Sequence, residues 1–484
     1  MINYIDAIIM IVYMAVLLGI GFWFMRKNVS TEDYFVSGRT MSSGHIGLSV
    51  VATDVGGGFS IGLGGLGFAM GLSGSWMLFT GLIGAWLSAV ILIPRVYKLG
   101  FEHRFTTFPQ LFTHLFDRKI GFLAGIISAI GYLGFTSSQI LAGAKLASSS
   151  FDGITLESAL LFMGIVTVLY TVLGGMTAVI YTDTIQWIVL MLGLLFVGIP
   201  LAYNAVGGWE QIKTVIQPEQ LSLTNVTWQT LVNWAVTIIP IWFVGMTLYQ
   251  RIYASKSEKE AQKAWFIAGL FEWPIMAFMG VSLGILARVY ADLGLFESIG
   301  FASASQMDPE LGLPLLLKSI LPVGLLGIMM AVYFSAILST ADSCLMAAAG
   351  NIITDIIHAL FPHLSNHKQV LRFTQLATLI LGVIAIVLAY SLENVLEMML
   401  YSYAFMVSGL LVPLVASLFF GKRNVHAALV SMILGGSITM ILIIYNTNLP
   451  LGLDPNIFGL SASLISFILV SFISKTKSQE VETV

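Results

Sequence analysis

Apolar runs of membrane-crossing length recur from residue 4 to residue 474, and the polar stretches between them are short. A bilayer core needs roughly 20 apolar residues per helix. On that criterion the pattern predicts spans near 4–25, 45–72, 74–98, 121–150, 155–174, 178–204, 229–252, 264–290, 315–345, 370–391, 396–419, 425–446 and 456–474. The expectation is an all-α membrane protein of about 13 transmembrane helices, a single domain over 1–484 with a short cytoplasmic tail at 475–484. The first run, Tyr4 to Phe24, has no basic segment before it and no small-residue cleavage site after it, so it reads as a span.

Composition strengthens this picture, since 57% apolar against 10% charged residues over 484 positions lies far outside the range of soluble domains. The net charge of -3 adds little, because in a membrane protein the placement of charges matters more than their sum. With an external N-terminus and an odd number of spans, 18 of the 22 basic residues fall on internal segments, Arg251 among them. Lys145, Lys213, Arg288 and Lys318 are the remainder. Such asymmetry predicts a multi-pass protein of the cell membrane with its N-terminus outside and its C-terminus cytoplasmic. Two external loops are long, 205–228 and 291–314, and the second carries Asp292, Glu297, Asp308 and Glu310. The single cysteine, Cys344, allows neither an internal disulfide nor a cysteine metal site.

Candidate chemistry sits where polar residues interrupt apolar runs. In Ser49-Val-Val-Ala-Thr-Asp-Val-Gly-Gly-Gly-Phe-Ser60 a carboxylate and three glycines fall in the middle of the second span. Each glycine weakens a helix by about 1 kcal/mol, so a break is expected there. Unwound backbone at membrane depth is tolerated where it lines a cavity or is buried in protein, and its free carbonyls suit a cation. Close helix packing through small residues is the competing explanation; Asp54 and the hydroxyls of Thr53 and Ser60 favour a site. The match to GxGxxG at Gly62-Leu-Gly-Gly-Leu-Gly67 has no preceding strand and lies within a span, which excludes a dinucleotide site.

In the ninth span, Ser335-Ala-Ile-Leu-Ser-Thr-Ala-Asp-Ser343 places positions 336, 339, 340 and 343 on one helical face that presents oxygens. Single serines and threonines usually bond back to the preceding turn, but this cluster includes Asp342. Asp183, after Gly174-Gly175, is read equally well as a helix N-cap or as a site residue. Lys145 and Glu272 lie within apolar spans, can snorkel or pair, and receive no role. His358, His363 and His367 share a loop in which solvation is the simpler account, so no other metal is expected. No GxxxxGK[ST] element supports ATP-driven pumping, and no nucleophile, base and oxyanion constellation supports an enzyme.

With Asp33-Tyr-Phe-Val-Ser-Gly-Arg39, Ala52-Thr-Asp-Val55, Gly174-Gly175 through Thr182-Asp183, and Ser335 to Ser343, in this order, the chain resembles the sodium/solute symporter family. Members of that family carry proline, pantothenate, sialic acid, sugars or choline. The resemblance implies a LeuT-type fold, with spans 2–6 and 7–11 as inverted five-helix repeats and further helices flanking them. It also implies a sodium site made of the backbone carbonyls of Ala52, Val55 and Ala336 and the hydroxyls of Ser339 and Thr340. A second cation site, present in some members, would fall on Asp183, Ser339, Asp342 and Ser343. Asp342 replaces a serine of the sialic-acid carriers, so that site would gain charge or take a proton.

The matching substrate positions are Asp54, Gly56, Phe59, Gln139 and Trp242, with Phe135 and Tyr401 further candidates. Gly134 stands where the sialic-acid carriers have a carboxylate-binding arginine, which disfavours sialic acid. Tyr249-Gln250-Arg251 is similar to the choline carriers, but Asp54, Phe135 and Gly245 replace their tryptophans, so a full aromatic cage is absent. Asp54 either counters an amine or organises the broken helix, and the second is favoured. The expected activity is sodium-coupled symport of a small organic solute by alternating access, by a monomer in the lipid bilayer, with Na+ as coupling ion and no nucleic-acid partner. The solute class (amino acid, choline-like, vitamin, monocarboxylate or sugar) stays open. The rivals are a proton-coupled carrier using Asp342 or Asp183, a transporter-like membrane sensor and a channel.

Overall fold

The apolar stretches fold as helices because each supplies enough length to satisfy its own backbone hydrogen bonds without water. The computed structural model describes every residue except 1–3, 26–30, 55–56, 152, 174–175, 358–359, 361–366, 446–448 and 475–484. We label the principal helices α1 (Tyr4–Met25), α2 (Ser43–Asp54), α3 (Gly57–Met70), α4 (Trp76–Leu87), α5 (Arg118–Ser150), α6 (Leu156–Leu173), α7 (Met176–Gly193), α8 (Trp228–Val244) and α9 (Met246–Ala254). The remainder are α10 (Glu258–Leu270), α11 (Ala277–Asp292), α12 (Pro309–Ile320), α13 (Leu325–Gly350), α14 (His367–Ala389), α15 (Val395–Phe420), α16 (Val425–Ile444) and α17 (Pro455–Ile473).

Among the described residues, nine helical runs are long and apolar enough to cross a bilayer, and the pair α8 and α9, bent by 42°, makes a tenth. The expected figure of 13 therefore depends on shorter and broken runs such as α1, α2 and α6. The run expected over 315–345 is divided: α12 ends at Ile320, and α13 begins after Pro322 and Gly324, with Asp6 accepting from the amides of Gly324 at 2.7 Å and Gly327 at 2.8 Å. A carboxylate at that position satisfies amides that open a helix. The break expected in the second span falls on residues outside the described set: α2 is described to Asp54 and α3 from Gly57, with Val55 and Gly56 between them.

The glycines of α3 serve close packing. A Cβ on Gly67 would stand 2.3 Å from the backbone oxygen of Val281 on α11, and one on Gly64 would stand 3.0 Å from Leu313 of α12. The segment that matched a nucleotide motif is thus a helix-packing face. At the centre, α13 is buried along most of its length and packs on α1, α5 and α7. Outward faces carry large exposed apolar side chains, including Ile11, Phe162, Phe196, Val387 and Phe472. A surface of this kind is suited to lipid rather than to water.

Candidate functional site

The last described turn of α2 packs against α13. Thr340 Oγ1 lies 3.0 Å from the carbonyl oxygen of Ala52 and 3.1 Å from that of Ala336, and Ser339 donates to Ala336 O at 3.2 Å. Four of the five expected sodium ligands therefore meet in one place, all neutral oxygens and all buried. An oxygen-only donor set of this kind fits a hard monovalent cation. Val55 and Gly56 lie outside the described residues, as does the side chain of Phe59. Ser335 points away and bonds Tyr13 of α1 at 3.1 Å.

One turn toward the chain's expected internal side, Arg251 of α9 is wholly buried. Its Nη2 lies 3.3 Å from Asp183 Oδ2 and 3.2 Å from Ser343 Oγ, and also donates to Thr53; its Nε donates to Ser49 Oγ at 3.0 Å. Ser49 in turn donates to Asp183 at 2.6 Å. Arg251, expected among the internal loop charges, is instead a core cation. Asp183 lies two turns inside α7, which starts at Met176, so it does not cap that helix. Asp342 is fully buried, and among the described residues no donor reaches either oxygen; nearby Thr171 spends its proton on Thr167 O at 2.8 Å. The expected second-cation residues are thus neighbours, with a guanidinium already among them.

On the other side of the break, Tyr403 of α15 donates to Asp54 Oδ1 at 2.9 Å, and its ring packs edge-on against Phe135 with centroids 5.2 Å apart. Gln139, one turn along α5 from Phe135, rests on Gly58, where an added Cβ would come within 2.3 Å of its amide oxygen. That oxygen has no partner. Glu272, on the wide turn Phe271–Met276 between α10 and α11, brings its carboxyl within hydrogen-bonding range of Asp54 and is 0% exposed. Its carboxylate crosses Gly81 of α4, and Trp242 crosses Gly84, one turn along the same helix. Asp54, Phe135, Gln139 and Trp242 are thus linked through shared neighbours. Tyr401 lies apart, donating to Glu397 at 2.6 Å and lining a cavity of about 400 Å³.

Sequence reasoning passed over Tyr403, gave Glu272 no role and placed Arg251 in a loop. A charge in an apolar run was the available signal for Glu272. Lys145, left unassigned, pairs with Asp308 at 2.6 Å and Glu310 at 2.7 Å, and Glu310 also accepts from the amides of Val395 and Leu396 that open α15.

The model of the family described as "Sodium:solute symporter family" matches residues 34–435. The chain belongs to that family. Among curated relatives, the symporter is 27% identical over 477 residues to the osmoregulated proline transporter OpuE of Bacillus subtilis, covering 96% of this chain and 94% of the relative. It is 26% identical over 515 residues to the sodium/glucose cotransporter of Vibrio parahaemolyticus, covering 98% and 91%. Among solved structures, the substrate-bound outward-open state of a Na+-coupled sialic acid symporter superposes with a TM-score of 0.78 at 20% identity, covering 98% of this symporter and 99% of that chain. A nucleobase-cation-symport transporter, MHP1, superposes with a TM-score of 0.56 at 13% identity, covering 92% and 94%. These likenesses give the symporter its fold.

Proposed function

We propose that this symporter couples inward sodium movement to import of a small organic solute by alternating access. It works as a monomer in the lipid of the cell membrane, N-terminus outside and C-terminus cytoplasmic. The observation that carries the reading is the bridge from Thr340 Oγ1 to Ala52 O at 3.0 Å, which joins the last described turn of α2 to α13 through neutral oxygens only. Sodium would be held by the carbonyls of Ala52, Val55 and Ala336 and the hydroxyls of Ser339 and Thr340, the hydroxyl protons turning from the carbonyls they now serve. The solute would sit on the far side of the break, among Asp54, Gly56, Phe59, Phe135, Gln139 and Trp242, with Tyr403 and Glu272 joining them. Tyr401 belongs to the approach. Inward movement of one positive charge gains about 2.3 kcal/mol per 100 mV of membrane potential, which drives accumulation.

The test is uptake by proteoliposomes of labelled solutes (proline, glucose, 1,4-diaminobutane) under an inward sodium gradient or an equal potassium gradient. Sodium-driven accumulation of at least one solute, lost in Ser339→Ala plus Thr340→Ala, is the expected result. Uptake indifferent to sodium, or unchanged in the double variant, contradicts the reading. Proton coupling on the same fold draws support from Asp342, the buried carboxylate that no donor reaches. Accumulation driven by a pH gradient in sodium-free buffer, lost in Asp342→Asn, would favour it.

A further inference from the structure

Asp54, the last described residue of α2, and Glu272, set against Gly81 of α4, form a pair of buried carboxyl groups that face each other within hydrogen-bonding range. Among the described residues, no basic side chain bonds to either one, and no donor other than the Tyr403 hydroxyl reaches them. Acidic groups buried this close together without a counter-charge are costly, and a positive charge that joins them offsets the cost. The nearest buried guanidinium, Arg251, is committed to Asp183, Ser49, Thr53 and Ser343. Two further buried polar atoms of the site lack a partner among the described residues, the amide oxygen of Gln139, an acceptor, and the indole N–H of Trp242, a donor.

A second observation concerns the approach. The cavity of about 400 Å³ bounded by α3, α8 and α15 is lined by Asp308, Glu310, Glu397 and Asp454, with Tyr401 and Trp234. Of these four acids, Asp308 and Glu310 share one lysine, Lys145. Glu397 accepts from the neutral Tyr401 and Asn394. A cleft lined by one sign of charge concentrates the opposite sign at its mouth. The cavity and the acid pair lie along the same two helices, α3 with α2 on one wall and α15 on the other, since Leu400 and Ala404 of α15 line the cavity while Tyr403 holds Asp54.

We propose that the solute is an organic cation with N–H donors, a protonated primary or secondary amine, held by Asp54 and Glu272 and drawn in through the acidic cavity. This rests on the symporter reading and names the substrate class of the same site. Both charged groups at the site are carboxyl acceptors, so N–H donors are matched better than a quaternary ammonium, which offers none.

Binding is read by thermal shift of the purified full-length protein in sodium buffer, with a series of equal length: 1,4-diaminobutane, 4-amino-1-butanol and 1,4-butanediol. Choline, proline and glucose complete the panel. The two amines are expected to bind at least about tenfold more tightly than the diol, the scale of a charge-assisted hydrogen bond. Glu272→Gln is expected to lose the amine shift and keep the sodium shift, which shows that the variant is folded. Binding of the diol, proline or glucose as tight as that of the amines overturns the proposal, as does an undiminished amine shift in Glu272→Gln. Uptake of a neutral solute driven by a pH gradient and lost in Glu272→Gln also overturns it, assigning the pair to a proton. A sodium shift absent from the wild type would instead count against the symporter reading, whatever the amines do.

Discussion

Two clusters of buried acids flank the broken helix, and they solve the same electrostatic problem in different ways. Around Asp183 the chain supplies its own cation, Arg251, and ties it with hydroxyls from α2 and α13. Around Asp54 and Glu272 the described residues supply only a tyrosine hydroxyl. Burying an ion costs several kcal/mol unless a partner offsets it. The first cluster has its counter-ion within the chain and reads as the joint that holds α2, α7, α9 and α13 together. The second is incomplete and requires something from outside. A charged group in the membrane interior is therefore informative only together with its partner list.

Opposite signs on mutation are the sharpest way to break this comparison. Arg251→Met leaves Asp183 buried without its counter-ion and is expected to cost about 3–5 kcal/mol, read as loss of monodisperse protein on size exclusion. Adding Asp183→Asn should recover part of the yield, and no recovery would mean that Arg251 acts through packing alone. Tyr403→Phe removes the donor to Asp54 and is expected to lower stability by roughly 1.5 kcal/mol, measured by thermal unfolding without solute. Glu272→Gln goes the other way, raising the stability of the solute-free protein by on the order of 1 kcal/mol, since it removes one of two facing acids. A destabilised Glu272→Gln would erase the contrast between the clusters.

The smallest effect lies in the outer cavity. Burial, and then the charge of Glu397, push the Asp454 carboxyl up to about 6. Its folded value lies above the unfolded one, so the ionised form is a cost carried by the fold above about pH 6, and this cost fades as pH falls toward about 4. Asp454→Asn is thus expected to raise the unfolding temperature by on the order of 1 °C at pH 8 and by less at pH 4.

Hydropathy made the helices legible because the bilayer demands long apolar runs. It blurred the border at Ile320 because apolar residues continue through Leu321 to the next helix, although Pro322 and Gly324 marked the break. The glycines after Asp54 and the oxygen stripe at 336–343 were legible because each breaks the apolar pattern in one short segment. Arg251 was not, since it stands only a few residues before Lys256, Lys259 and Lys263, and hydropathy cannot tell a buried terminal charge from a loop charge. Tyr401 and Tyr403 sit in a helix apolar on nearly every side, so spacing gives no direction for either. Glu272 was noticed, but its partner lies 218 positions away at Asp54, a pairing that only the fold reveals.

Direct binding of 22Na+ to the purified protein, followed by scintillation proximity, tests the central claim that the broken α2 and the stripe on α13 form a sodium site. The account predicts saturable binding that unlabelled sodium displaces and potassium does not, with affinity at least about tenfold weaker in Ser339→Ala plus Thr340→Ala. No saturable binding by the wild type, or equal binding by the folded double variant, would contradict it.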